Sequence, residues 1–201
     1  IETFRICPLH YKLKYIYKVP TPQSASQSFG TSMHATLKDF YSAVIGGAKP
    51  SEKLMLEFMV KDWVKEGYSS KKHKKDFFEK GKLYLSGFLK DEFNSKNLPV
   101  ALEQPFSVPL IDPTSSRRSG TSRGFASLKI GGKIDRVDQL ADGSIEIVDY
   151  KTGATIPSQK EVDKNLQLSF YALAASSIPQ PPFGIKPEKI KLSLYFLDNQ
   201  E

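Results

Sequence analysis

The chain has 201 residues and a net charge of +7, with 39% hydrophobic and 25% charged residues, which is typical of a globular protein that buries a core. No apolar run reaches the roughly 18 residues that suggest a membrane span, and the single cysteine, Cys7, excludes a disulfide framework or a four-cysteine zinc or iron–sulfur site within the chain. The basic balance favours an anionic partner, nucleic acid before a membrane surface.

The first half of the sequence predicts mainly helices. A helix-like apolar pattern runs from Phe4 to Tyr15 and stops at Pro20, and Pro8 can begin a second helix at its first turn. Apolar stripes predict further helices over residues 32–45 and 51–66 and after the charge run KKHKKD at 71–76, with a polar loop over residues 21–32.

After Asn97 the pattern changes to strands. Strands are predicted over residues 98–111 and 125–138, then the turn ADG, the strand SIEIVDYK, the helix KEVDKNLQLSFYALAASS and the closing strand KIKLSLYFL. This order predicts an α/β fold with a mixed central β-sheet flanked by helices. We expect one domain, with residues 1–97 as a mainly helical part and residues 98–201 as a β-sheet core.

Two opposite charges stand two residues apart in the strand IVDYKTG. Asp149 and Lys151 would share one face of the strand, and Asp135 in GGKIDRVD would approach Asp149 across the ADG turn. Two close carboxylates repel unless a cation lies between them, and oxygen ligands suit Mg²⁺ or Mn²⁺. From spacing alone, a surface ion pair of little energetic value is an equally good interpretation.

The segments GGKIDRVD, IVDYKTG and NLQLSFYALA, in this order, resemble the PD-(D/E)XK nuclease superfamily in its RecB-type branch. The segments CPLHYKLKYIYKVP and SFGTSMHATLKDFY are similar to two N-terminal elements of that branch, which occurs at the C-terminus of UvrD/Rep-like helicases and in AddB-type proteins. The matching segments spread over most of the chain. The resemblance implies a restriction-endonuclease-like fold and metal-dependent phosphodiester hydrolysis in DNA.

The resemblance also implies individual site residues. The positions that match metal ligands are His34, Asp135, Asp149 and the backbone carbonyl of Tyr150. The other matching positions are the catalytic lysine Lys151, the upstream glutamate Glu103, and the pair Gln167 and Tyr171, which share one helix face. Some relatives hold an iron–sulfur cluster through four cysteines, which this chain lacks, so we expect no such cluster.

Basic residues outside this group have two interpretations, phosphate contacts or solvated charges. They are Lys71, Lys72, Lys74, Lys75, Arg117, Arg118 and Arg123. Asp138 and Asp142 are expected at a turn or on the surface.

The sequence therefore predicts a cytoplasmic Mg²⁺- or Mn²⁺-dependent deoxyribonuclease with no membrane partner. It would act as an exonuclease on single-stranded or unwound DNA ends in recombination and repair. A helicase in the same polypeptide or complex is the partner that the resemblance implies, because this branch occurs at the C-terminus of UvrD/Rep-like helicases. The sequence begins at Ile1 rather than Met, and we expect it to be a piece of a longer chain. The alternative is a catalytically inactive DNA-binding or scaffold domain of a helicase–nuclease complex.

Overall fold

The computed structural model describes residues 2–109 and 129–198. Arg117, Arg118 and Arg123 lie outside the described residues. The N-terminal segment forms two short helices, α1 (Glu2–Ile6) and α2 (Pro8–Tyr11), and a π-helical turn over Lys12–Ile16. Pro8 begins the second helix as predicted, and the Sγ of Cys7 accepts a hydrogen bond from the His10 amide at 3.4 Å.

Helix α3 spans Ala25–Ile45, so the predicted polar loop over residues 21–32 is wrong from residue 25 onward. Ser24 caps the helix: its hydroxyl accepts from the Gln27 amide at 3.2 Å, and the Gln27 side chain accepts from the Ser24 amide at 3.0 Å. This reciprocal arrangement is a capping box. Two buried polar residues of α3, Ser32 and Thr36, bond to backbone: both hydroxyls donate to the carbonyl four residues before at 2.8 Å, and Ser32 also accepts from the Val64 amide at 2.9 Å.

Two further helices pack with α3. Helix α4 spans Glu52–Lys61, shorter than predicted, and α5 spans Lys71–Asp91. The charge run KKHKKD forms the first turns of α5 because Ser70 caps it, accepting from the His73 amide at 3.0 Å. A run of charged residues can therefore form the start of a helix when the apolar residues of that helix follow one turn later.

The sheet has four strands in the order β1-β2-β3-β4. The β1–β2 and β2–β3 pairs are antiparallel, whereas β3 and β4 are parallel and joined through two helices. Its elements are β1 (Ala101–Pro109), β2 (Lys129–Gln139), β3 (Ile145–Lys151), α6 (Gln159–Val162), α7 (Leu166–Ser177) and β4 (Ile190–Phe196). Two helices, α6 and α7, stand where a single helix was predicted between β3 and β4. The second one begins because the Asn165 side chain caps its N-terminus, accepting from the amides of Gln167 and Leu168.

The sheet separates two apolar clusters. On one side, α3, α4 and α5 pack on a cluster that includes Val148 and Tyr150 of β3. On the other side, α7 packs on a cluster that includes Ile145 and Ile147 of the same strand. This alternation along β3 confirms the predicted α/β architecture, a mixed sheet flanked by helices. Within the described residues, no helix is both long and apolar enough to cross a membrane.

Asp138 is buried, which corrects its expected place at a turn or on the surface. Its two carboxylate oxygens accept from Arg136 Nε at 2.8 Å and from an Arg136 terminal nitrogen at 2.5 Å. The Arg136 guanidinium also stacks over the ring of Tyr41 at 5.0 Å. Burial of the Asp138 charge is possible because its partner is buried beside it. Asp142 does lie in a turn, where it accepts from the Ser144 amide at 3.0 Å.

Candidate active site

The regular β-pairing is interrupted at Glu103 and Asp135. Strand pairing passes from Leu102↔Arg136 to Gln104↔Ile134, and Glu103 between them has a φ of 48°. A positive φ is uncommon for a residue with a side chain and often marks a functional site. Ile134 and Val137 of β2 lie in the same apolar cluster although they are three residues apart. Because side chains of a regular strand alternate between the two faces of the sheet, this alternation must be interrupted between them.

The shift lets the Asp135 side chain reach between strands. The β2–β3 pairing extends only as far as Arg136↔Val148. One residue further, Asp135 Oδ2 accepts a hydrogen bond from the Tyr150 amide at 2.9 Å. A carboxylate therefore replaces a backbone partner where β2 and β3 separate. The N–H and C=O of a strand residue point to the same edge, so the Tyr150 carbonyl is directed to this opening too.

Helix α3 supplies a histidine to the same place. His34 Nδ1 lies 3.2 Å from Asp135 Oδ1, and one ligand atom from each of His34, Glu103 and Asp135 lies within 4.8 Å of the others. Burial disfavours a charged imidazole, but the hydrogen bond to Asp135 and the charge of the nearby carboxylates outweigh it and raise the pKa of His34. The group therefore attracts positive charge.

Lys133 is a site residue that the sequence interpretation missed. Its ammonium forms an ion pair with Oε2 of Glu103, and its backbone carbonyl lies 3.1 Å from the Tyr171 hydroxyl. Lys133 stands two residues before Asp135 in GGKIDRVD, and that closeness in sequence was the available signal. The ion pair also depends on the register of β1 against β2, in which Pro105 lies opposite Lys133, and the sequence does not reveal that register.

Asp149 is 2% exposed. It lies beside the group of His34, Glu103 and Asp135, on the face of the sheet that α7 covers. Its Oδ1 accepts from Gln167 Nε2 and from the Tyr171 hydroxyl, both at 2.8 Å. Its Oδ2 lies 2.5 Å from Lys151 Nζ. Burial raises the pKa of Asp149 and the charge of Asp135 adds to the rise, whereas Lys151 opposes it.

Gln167 connects the Asp149 carboxylate and the Lys151 ammonium. Its amide nitrogen donates to Asp149, and its amide oxygen accepts from Lys151 Nζ at 3.0 Å. The same nitrogen lies 2.7 Å from the Tyr171 hydroxyl, one helical turn further along α7. Burial, followed by the negative charge of Asp149, raises the pKa of Tyr171. The hydroxyl therefore stays protonated and can donate to the carboxylate.

The donor set fits a divalent cation. One imidazole nitrogen and carboxylate oxygens suit Mn²⁺ or Mg²⁺. Asp149 Oδ2 is buried and is paired with the Lys151 ammonium at 2.5 Å. A carboxylate oxygen has two lone pairs, so this oxygen can also accept a cation. The group that converges here is His34, Glu103 and Asp135, so Glu103 joins the predicted ligands, and the role of Asp149 as a ligand stays a prediction.

The predicted DNA-binding lysines lie on α5, which supplies none of the site residues described above. Lys71, Lys72 and Lys75 are exposed and Lys74 is half-buried in the first turns of α5. Among the residues that the structure describes, no ion pair or hydrogen bond links these four lysines to the acidic group. Their role in phosphate binding stays a prediction.

Comparison with known families identifies the superfamily of the chain. A family model described as the PD-(D/E)XK nuclease superfamily matches residues 1–201. A comparison with curated proteins found no match. The family match covers the full sequence, including the N-terminal helices and every residue of the candidate site.

Proposed function

The chain belongs to the PD-(D/E)XK nuclease superfamily, and from that premise we propose that it is a divalent-metal-dependent deoxyribonuclease that hydrolyses phosphodiester bonds. The superfamily suggests a nuclease. The observation that carries the proposal to this chain is the convergence of His34, Glu103 and Asp135 within 4.8 Å, beside the Asp149–Lys151 ion pair.

In this proposal the site binds the ion and the scissile phosphate together. The proposed ligands are His34, Glu103, Asp135, Asp149 and the Tyr150 carbonyl. A divalent ion, Mg²⁺ or Mn²⁺, would supply Lewis-acid polarisation of the phosphate.

Lys151 is proposed to stabilise the transition state. Its ammonium would lie against the negative charge of the phosphate in the transition state, as a water oxygen bonds to phosphorus and the bond to the leaving oxygen breaks. Gln167 accepts from Lys151 and donates to Asp149, so it holds the two groups at a fixed separation. The Tyr171 hydroxyl donates to the same oxygen of Asp149 that Gln167 binds and so also fixes the carboxylate.

The finer assignment is also a proposal. We infer a RecB-type nuclease that degrades single-stranded or unwound DNA ends as an exonuclease in recombination and repair. A helicase in the same polypeptide or in a complex would deliver the strand, and the cytoplasm is the expected compartment. The similarity of the N-terminal segments to those that precede RecB-type nuclease cores supports this choice.

The test is cleavage of labelled single-stranded DNA in Mg²⁺ or Mn²⁺. We expect Asp149→Ala and Lys151→Ala to lose activity by about 100-fold or more. Lys53→Ala, on an exposed face of α4, is the matched control and should cleave like the wild type. If the wild type cleaves no better than the two site variants, the enzyme proposal fails. DNA binding without cleavage would then favour the inactive scaffold alternative.

A further inference from the structure

A cavity of about 590 Å³ opens beside the candidate active site, between β2 and α7. Three of its lining residues, Lys133, Gln167 and Tyr171, also contact Glu103 or Asp149. The volume is in the range of pockets that hold small organic ligands. Whatever occupies this cavity therefore adjoins the group bound at the acidic cluster.

Aromatic rings line the cavity from different elements. Phe170 lies on α7 one turn after Gln167 and is half-buried, and Tyr11 reaches the cavity from α2. The Tyr11 ring is held by an edge contact with Phe4 at 5.5 Å and a tilted contact with Tyr15 at 5.0 Å. Partly exposed rings held in this way are suitable surfaces for stacking a nucleic-acid base.

The charge of the cavity is positive. Lys129 and Lys133 line it, and its lining contains no Asp or Glu among the described residues. Glu103 already engages Lys133, whereas Lys129 is exposed and forms no ion pair with any described residue. A phosphate group is the ligand chemistry that a free lysine beside stacking rings would select.

We propose that this cavity binds the unpaired nucleotide next to the scissile phosphate of single-stranded DNA. The base lies against Phe170 and Tyr11, and its phosphate meets Lys129. A base enters a concave site of this kind only when it is out of a duplex stack, so the cavity selects a single strand. The proposal rests on the proposed nuclease function for the position of the scissile phosphate.

The binding test uses a short fluorescent oligothymidylate with EDTA present, so that cleavage does not interfere. Phe170→Leu keeps an apolar side chain but removes the ring, and we expect about tenfold weaker binding. Phe170→Tyr keeps the ring and should bind like the wild type. Lys129→Ala should reduce the slope of log Kd against log salt by about 0.7, while the control Lys53→Ala leaves it unchanged. Equal binding by Phe170→Leu and the wild type, or equal loss of duplex and single-strand binding, would overturn the proposal.

A cleavage readout separates this proposal from the proposed function. In Mg²⁺ or Mn²⁺, an abasic residue next to the cleaved bond should slow the wild type but not Phe170→Leu. If the protein binds oligothymidylate through Phe170 yet cleaves nothing, the nuclease function fails and the cavity assignment stands. If Phe170→Leu cleaves and binds like the wild type, the cavity assignment fails and the nuclease function stands.

Discussion

Lys151 Nζ lies 2.5 Å from Oδ2 of Asp149, and Gln167 contacts both side chains. Asp149 is 2% exposed, so its negative charge needs a partner in the folded chain. Lys151 is therefore a structural counter-ion as well as a candidate catalytic group. The two roles can be separated by experiment.

Lys151→Met should reduce both stability and activity. Removing the ammonium leaves the buried Asp149 carboxylate unpaired, and because Lys151 is partly exposed we expect a loss of about 1–3 kcal/mol in the free energy of unfolding. The double variant Asp149→Asn/Lys151→Met should recover most of that stability but none of the cleavage of single-stranded DNA. Urea unfolding and cleavage assays measure the two effects. A double variant as unstable as Lys151→Met would contradict the counter-ion role.

Glu103→Gly should increase stability while weakening metal binding. The φ of 48° at Glu103 is a left-handed conformation that costs a residue with a side chain about 1–2 kcal/mol and glycine nothing. The matched control is Glu103→Gln, which also loses the carboxylate but keeps the strained backbone. Calorimetric titration with Mn²⁺ should show weaker binding for both variants, and urea unfolding should show a gain only for glycine. If Glu103→Gly unfolds more easily than Glu103→Gln, the strain argument is wrong.

The parts of the site that depend on a local repeat could be predicted from the sequence. A period of two placed Asp149 and Lys151 on one face of β3, and a spacing of four placed Gln167 and Tyr171 on one face of α7. The ion pair and the hydrogen bond between these residues confirm both placements. Their catalytic roles remain predictions until activity is measured.

The parts that depend on an irregular backbone could not be predicted. Glu103 has a positive φ where the regular pairing of β1 with β2 is interrupted, and no periodic pattern predicts such an interruption. The early start of α3 could have been predicted from the sequence, because Ser24 and Gln27 have the spacing of a capping box. The polar composition of residues 21–32 concealed it, since polar residues also form loops.

Asp138→Ala should destabilise the fold strongly. It would leave the Arg136 guanidinium, whose exposure is 6%, without its carboxylate partner, and breaking a buried pair in this way costs about 3–5 kcal/mol. Asp142→Ala, in the next turn of the same hairpin, is the matched control and should cost much less, because it removes hydrogen bonds of an exposed turn. The double variant Arg136→Met/Asp138→Leu should unfold near the wild-type urea concentration. Similar losses for Asp138→Ala and Asp142→Ala would show that the buried pair contributes little.

Ionisation of Tyr41 should lower the free energy of unfolding in alkaline solution. Its side chain is 1% exposed, and burial raises its pKa to about 12, although the nearby Arg136 lowers it in part. The unfolded chain releases this proton near the ordinary tyrosine pKa of about 10, so between about pH 10 and 12 the folded state binds more protons than the unfolded state. The contribution is fully present below about pH 10 and is lost as the pH rises through about 12, a change of about 2–3 kcal/mol.

Tyr41→Phe is the variant that isolates this effect. It keeps a ring under the Arg136 guanidinium but has no proton to release, so its free energy of unfolding should fall less steeply with pH in the alkaline range. Other buried tyrosines, such as Tyr150, whose pKa is raised by burial, should leave some pH dependence in the variant. Urea unfolding at several pH values from about 9 to 11 measures both slopes. Because the slopes differ only if the Tyr41 hydroxyl stays protonated in the folded chain, parallel curves would mean that water reaches this hydroxyl beneath Arg136.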